Sequence, residues 1–71
     1  MLDPNDYDLS RDEWEQLIDQ YIFSERSRIM LKRKMFDGIT YEALAEEFEL
    51  STQRAKAIIG DAKTRLLRYI K

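Results

Sequence analysis

The chain has no cysteine and no histidine. Without cysteine, no disulfide or thiolate metal site can staple the fold. Without histidine, the commonest general base, the commonest zinc ligand and the usual pH switch are missing. Glycine occurs twice, proline once and valine not at all, while Glu, Lys, Arg, Leu and Ala are frequent. That balance favours helix over sheet. No apolar run exceeds three residues, as at Ile29, Met30 and Leu31, far short of the ~20 that span a bilayer. The opening segment MLDPNDYDLS is acidic and lacks the basic start and apolar stretch of a signal peptide. A cytoplasmic protein without a membrane partner is the expectation. There is no glycine-rich phosphate loop, and no carboxylate pair outside helix surfaces. Neither an enzyme nor a small-molecule substrate is therefore expected. No cofactor or metal is expected either, because Asp3, Asp6 and Asp8 lack the glycine and terminal glutamate of a calcium loop.

What the chain does have is segregated charge and helical patterning. Its 71 residues predict one domain, and a domain of this size buries only about 60% of its unfolded surface. The net charge of −2 hides blocks. Residues 1–25 sum to −7, residues 26–36 to +5, residues 37–51 to −5 and residues 52–71 to +5. A low net charge alone argues against a polyanion partner, but the segregation reopens the question.

An all-α, four-helix domain over residues 10–71 is predicted, behind an acidic tail at residues 1–9 that contains Pro4. Ser10 and Glu13 form a capping box, and Leu9 and Trp14 stand at staple positions. The first helix, residues 11–22, has Trp14, Leu17, Ile18, Tyr21 and Ile22 on one stripe. Ser24 caps a second helix at residues 25–36, with Met30, Leu31 and Met35 on one side and Ile29 off it. Gly38 suits a left-handed position just past its end. Thr40 caps a third helix, residues 41–48, and Ser51 caps a fourth, residues 52–69. The inner stripe of the fourth is Ala55, Ile58, Ile59, Ala62, Leu66, Tyr69 and Ile70, with Leu67 off it. Gly60 within that helix costs roughly 1 kcal/mol relative to alanine.

The interval between the third and fourth helices, Glu49, Leu50 and Ser51, is too short for anything but a steep crossing, the helix-turn-helix arrangement. That crossing needs a small residue under the second helix, supplied by Ala45, and an apolar residue in the turn, supplied by Leu50. Leu44 and Phe48 complete the seat, and Ala55 and Ile58 face it from the fourth helix. Glu49 stands where such turns usually have glycine, at a cost on the order of 1 kcal/mol.

In this motif the N-terminal turns of the second helix enter the major groove. Here they present Thr52, Gln53, Arg54, Lys56 and Ala57, and no acid lies between Ser51 and Gly60. Gln pairs bidentately with adenine, Arg with guanine, and alanine touches a thymine methyl. These five are the candidate base contacts. The N-termini of the third and fourth helices offer backbone N–H groups to phosphates, and Lys32, Arg33 and Lys34 form a basic block before the motif.

The run FDGITYEALAEEFELSTQRAKAIIGDAKTRLL resembles region 4 of bacterial sigma factors, the part that binds the promoter's upstream element. Asp37, Gly38, Ile39, Thr40, Tyr41 and Glu42 resemble the family's approach to its helix-turn-helix, and Leu44, Ala45 and Glu46 its "IAe". Ser51, Arg54, Lys56, Ile58, Ala62, Arg65 and Leu66 match its recognition helix and the stretch just after it. The likeness covers about residues 25–68. It implies a transcription regulator of bacterial or phage type that binds double-stranded DNA. It also implies phosphate contacts at Lys32, Arg33, Lys34, Thr40 and Tyr41, to which Ser51 and Lys63 are added. No residues remain for the segment that melts DNA and grips polymerase, so a stand-alone domain is expected. The alternative is a protein–protein module that docks on RNA polymerase or another partner through its first two helices. Trp14, Tyr21, Ile22 and Phe23 would then form a patch, although as core residues they need no partner. Leu67 is a candidate contact for a homodimer.

Overall fold

The computed structural model describes residues 8–69. They form α1 (Arg11–Tyr21), α2 (Glu25–Lys32), a π-helical turn (Arg33–Asp37), α3 (Tyr41–Glu47) and α4 (Thr52–Leu67). The fold is all-α, and no strand occurs among the described residues. Most of the expected acidic tail, including Asp3 and Asp6, lies outside the described residues, as does Ile70.

Each α-helix begins on a hydroxyl. Ser10, Ser24, Thr40 and Ser51 hold extended backbone angles, and their side chains accept from the N–H groups of Glu13, Ser27, Ala43 and Arg54. Each cap satisfies a donor the helix cannot, and contributes about 1 kcal/mol. At Ser10 the box is reciprocal, since the Ser10 N–H donates to the Glu13 carboxylate at 3.1 Å. α1 has no basic residue in its last turn. Arg28 of α2 fills that role, donating from Nε to the Ile22 carbonyl at 2.6 Å and from Nη2 to the Phe23 carbonyl at 2.9 Å. A cation there complements the negative end of the helix.

The core is one cluster. It contains Trp14, Ile18 and Ile22 of the α1 segment, Met30 and Leu31 of α2, Leu44 and Ala45 of α3, and Ala55, Ile59, Ala62 and Leu66 of α4. No buried side chain in it is polar or charged. Trp14, a candidate for an exposed patch on sequence grounds, is fully buried, and Ile22 nearly so. Phe23 is 78% exposed, and Tyr21 is half-buried with its ring stacked on Tyr69 at 3.8 Å.

Three details differ from the sequence expectation. The predicted second helix does not keep α pitch to residue 36, because it widens into the π turn from Arg33 to Asp37. The wider turn lets Met35 and Phe36, neighbours in sequence, both pack against the core. Gly38 then ends the turn at φ 65°, as expected of a left-handed stop. On α4, Ile59 rather than Ile58 takes the central seat, and Ile58 is half-buried. The repeat Ala55, Ile59, Ala62, Leu66 follows the 3.6-residue period more closely than one through Ile58. α4 also stops at Leu67, and Tyr69 is 57% exposed rather than inward. Ile29 and Leu67 are exposed, as their off-stripe positions implied.

Candidate nucleic-acid interface

The turn between α3 and α4 is closed by two backbone hydrogen bonds. The Leu50 N–H donates to the Ala45 carbonyl at 2.8 Å, and the Glu49 N–H to the Glu46 carbonyl at 3.2 Å. This is a Schellman closure. It places Glu49 in the left-handed region at φ 57°, a position the sequence pattern would give to glycine. Leu50 leaves the turn half-buried against the core, and Ser51 starts α4 at once. Ala45 and Ala55 are both buried where α3 meets α4. Side chains that small let two helix backbones approach closely.

With Ala55 and Ile59 facing inward, the opposite side of α4 is committed to solvent. Gln53, Arg54, Lys56 and Ala57 are exposed there, and Thr52 is half-buried. Among the described residues, the Gln53 amide and the Arg54 guanidinium have no hydrogen-bond or ion-pair partner. Gly60 continues the exposed side, with open space within 4 Å of where a β-carbon would stand. The candidate base contacts are therefore exposed, Thr52 only in part, and the Lys56 ammonium is turned towards the Tyr41 ring.

The candidate phosphate contacts divide. The Lys32 ammonium pairs with Asp19 of α1 at 2.8 Å. Arg33 pairs with Glu47 of α3 at 3.0 Å and with Asp37 at 2.7 Å. Those hydrogen bonds, to Glu47 first and then Asp37, raise the Arg33 pKa above its ordinary value. These two cations tie helices together and offset part of the charge of three nearby carboxylates. The Thr40 and Ser51 hydroxyls are engaged as helix caps. Lys63 lies two turns beyond Lys56 along α4, half-buried.

Lys34 goes elsewhere. From the π turn its ammonium donates to the Ile39 carbonyl at 2.8 Å and lies 4.5 Å from the centre of the Tyr41 ring. The Lys56 ammonium, from α4, lies 5.7 Å from the centre of the same ring. Both distances fall within the reach of a cation–π attraction. Among the described residues, no carboxylate lies within ion-pair distance of either ammonium. Nothing in the sequence points to this cluster, because its three members are joined only by the π turn and the packing of α3 on α4.

No family model, curated protein or solved structure matches this chain. Among the described residues, no helix is long and apolar enough to cross a membrane, and no cluster of Asp and Glu could hold a metal ion.

Proposed function

We propose that this protein binds double-stranded DNA sequence-specifically, as a small cytoplasmic transcription regulator similar to sigma-factor region 4. α4 enters the major groove with its first turns. Gln53 and Arg54 read base edges by bidentate hydrogen bonds, and Ala57 lies against a thymine methyl. The observation that supports this most directly is the unpartnered exposed face of Gln53, Arg54 and Ala57 on a helix whose other side is locked into the core. The resemblance of residues 25–68 to that family points the same way. A net charge of −2 is compatible with the reading, because the segment that carries α4, residues 52–71, sums to +5. Binding to a duplex selected from random sequence, followed by anisotropy across a salt series, tests it. Log K is expected to fall linearly with log salt, and a flat response would end the proposal. Arg54→Ala should cost about 1–3 kcal/mol on the selected duplex and relax preference at one base pair.

A second reading rests on Phe23. This exposed ring borders a shallow cleft of ≈ 380 Å³ that also involves Ile22, Ile58, Ala62 and Arg65. It favours a protein partner, RNA polymerase among the candidates, at the end of the molecule formed by the α1–α2 corner. Replacing Arg54 and Lys56 together by alanine separates the readings, since partner capture would survive it and DNA binding would not.

A further inference from the structure

Resting on the DNA-binding reading, we propose that Lys34 and Lys56, gathered around the Tyr41 ring, grip the phosphodiester backbone, and that Lys56 reads no base. Three elements converge on the site: the π turn supplies Lys34, the first turn of α3 supplies Tyr41 and α4 supplies Lys56. π turns are rare and recur at functional sites. This one places Lys34 where it reaches both the Ile39 carbonyl and the ring.

The charge at the cluster is surplus. Lys32, Arg33, Arg11 and Arg65 each have a carboxylate within ion-pair distance. Lys34 and Lys56 have none among the described residues. An ammonium carries three donors. Lys34 spends one on the Ile39 carbonyl, and Lys56 has all three available for phosphate oxygens. The ring face attracts both cations without neutralising them. It therefore orders two positive heads at a fixed place while leaving their charge for an anion.

The same geometry separates Lys56 from the reading face. Its head leans back towards Tyr41 of α3, whereas Gln53, Arg54 and Ala57 are exposed on α4, and the Gln53 and Arg54 side chains have no hydrogen-bond or ion-pair partner among the described residues. A lysine ammonium is a point charge rather than a planar fork, and it suits phosphate better than a patterned base edge. Tyr41 is then a positioning residue: it aims the lysines and supplies no sequence information itself.

The test uses the full chain, its selected duplex and a scrambled duplex, with anisotropy over a salt series. Lys34→Ala and Lys56→Ala should each weaken both duplexes by the same factor, on the order of tenfold at low salt. Each should lower the salt slope by about 0.9. The ratio of affinities between the duplexes should not move. Tyr41→Phe keeps the ring face and should weaken both duplexes less than Tyr41→Leu does. Tyr41→Leu should weaken both duplexes equally, with thermal melts verifying that it remains folded. If Lys56→Ala changes the affinity ratio, or leaves the salt slope as it was, the phosphate grip is wrong while DNA binding stands. If the parent protein binds neither duplex, the DNA reading falls and takes this inference with it.

Discussion

A left-handed torsion of 57° at Glu49 crowds its β-carbon against the backbone, at a cost of roughly 1 kcal/mol. The Schellman closure imposes that torsion, since two hydrogen bonds, to Ala45 and Glu46, require it. The Glu49 side chain is exposed and makes no ion pair among the described residues. Glu49→Gly should therefore raise stability by on the order of 1 kcal/mol, seen as a higher urea midpoint at unchanged slope. An unchanged midpoint would mean that the turn does not hold this torsion in solution. Single-residue features of this kind are largely legible in the sequence. Ser10, Ser24, Thr40 and Ser51 read as caps and are caps, because capping depends on residues three positions apart. Gly38 reads as left-handed, and its φ is 65°. Lys34, Tyr41 and Lys56 read as separate contacts without a hint that they meet, since their meeting depends on packing between three elements.

Between elements, the α3–α4 junction depends on small side chains. Ala45 is 3% exposed and Ala55 fully buried, so there is no slack for extra methylenes. Ala45→Leu should destabilise by about 1–3 kcal/mol through overpacking, measured by urea denaturation. A neutral result would show that α3 and α4 are not in close contact at that point. In the proposed complex the same substitution should also weaken DNA binding in the fraction that folds, because it tilts the face of Gln53 and Arg54. Helix number and order can be read from apolar spacing, but pitch cannot. The residues from Arg33 to Asp37 contain nothing that distinguishes a π turn from an α turn. The choice is made by tertiary contacts, with Met35, Phe36 and Ile39 all packing on the core. The exchange of Ile58 for Ile59 at the central seat has a related origin. Two adjacent isoleucines look alike in a pattern, and only the crossing of α4 over its neighbours selects one.

Across the whole molecule, one apolar cluster touches all four α-helices. No helix has a core of its own, so unfolding should be a single cooperative transition. Trp14, the sole tryptophan, is fully buried in that cluster. Its fluorescence and the far-UV circular dichroism should lose their native signals at the same denaturant concentration. Two separated midpoints would instead assign α1 its own melting unit. The charge blocks are also organised at this scale. The basic block at residues 26–36 reaches back to Asp19 and forward to Glu47, fastening α2 and the π turn to α1 and α3. Exposed pairs of this kind contribute little to stability. Their larger effect is to leave the helix bearing Arg54 and Lys56 as the less compensated positive region.

The widened turn from Arg33 to Asp37 has the form a regular helix takes when one residue is spliced into it. Excising one of those residues would let the segment return to ordinary pitch with no loop to rebuild. Made at Arg33, such a one-codon deletion would swing Lys34 by about 100° around the helix axis and strand it away from Tyr41. The chain would keep its helices and, in the proposed complex, lose one of the two lysines that hold the phosphodiester backbone.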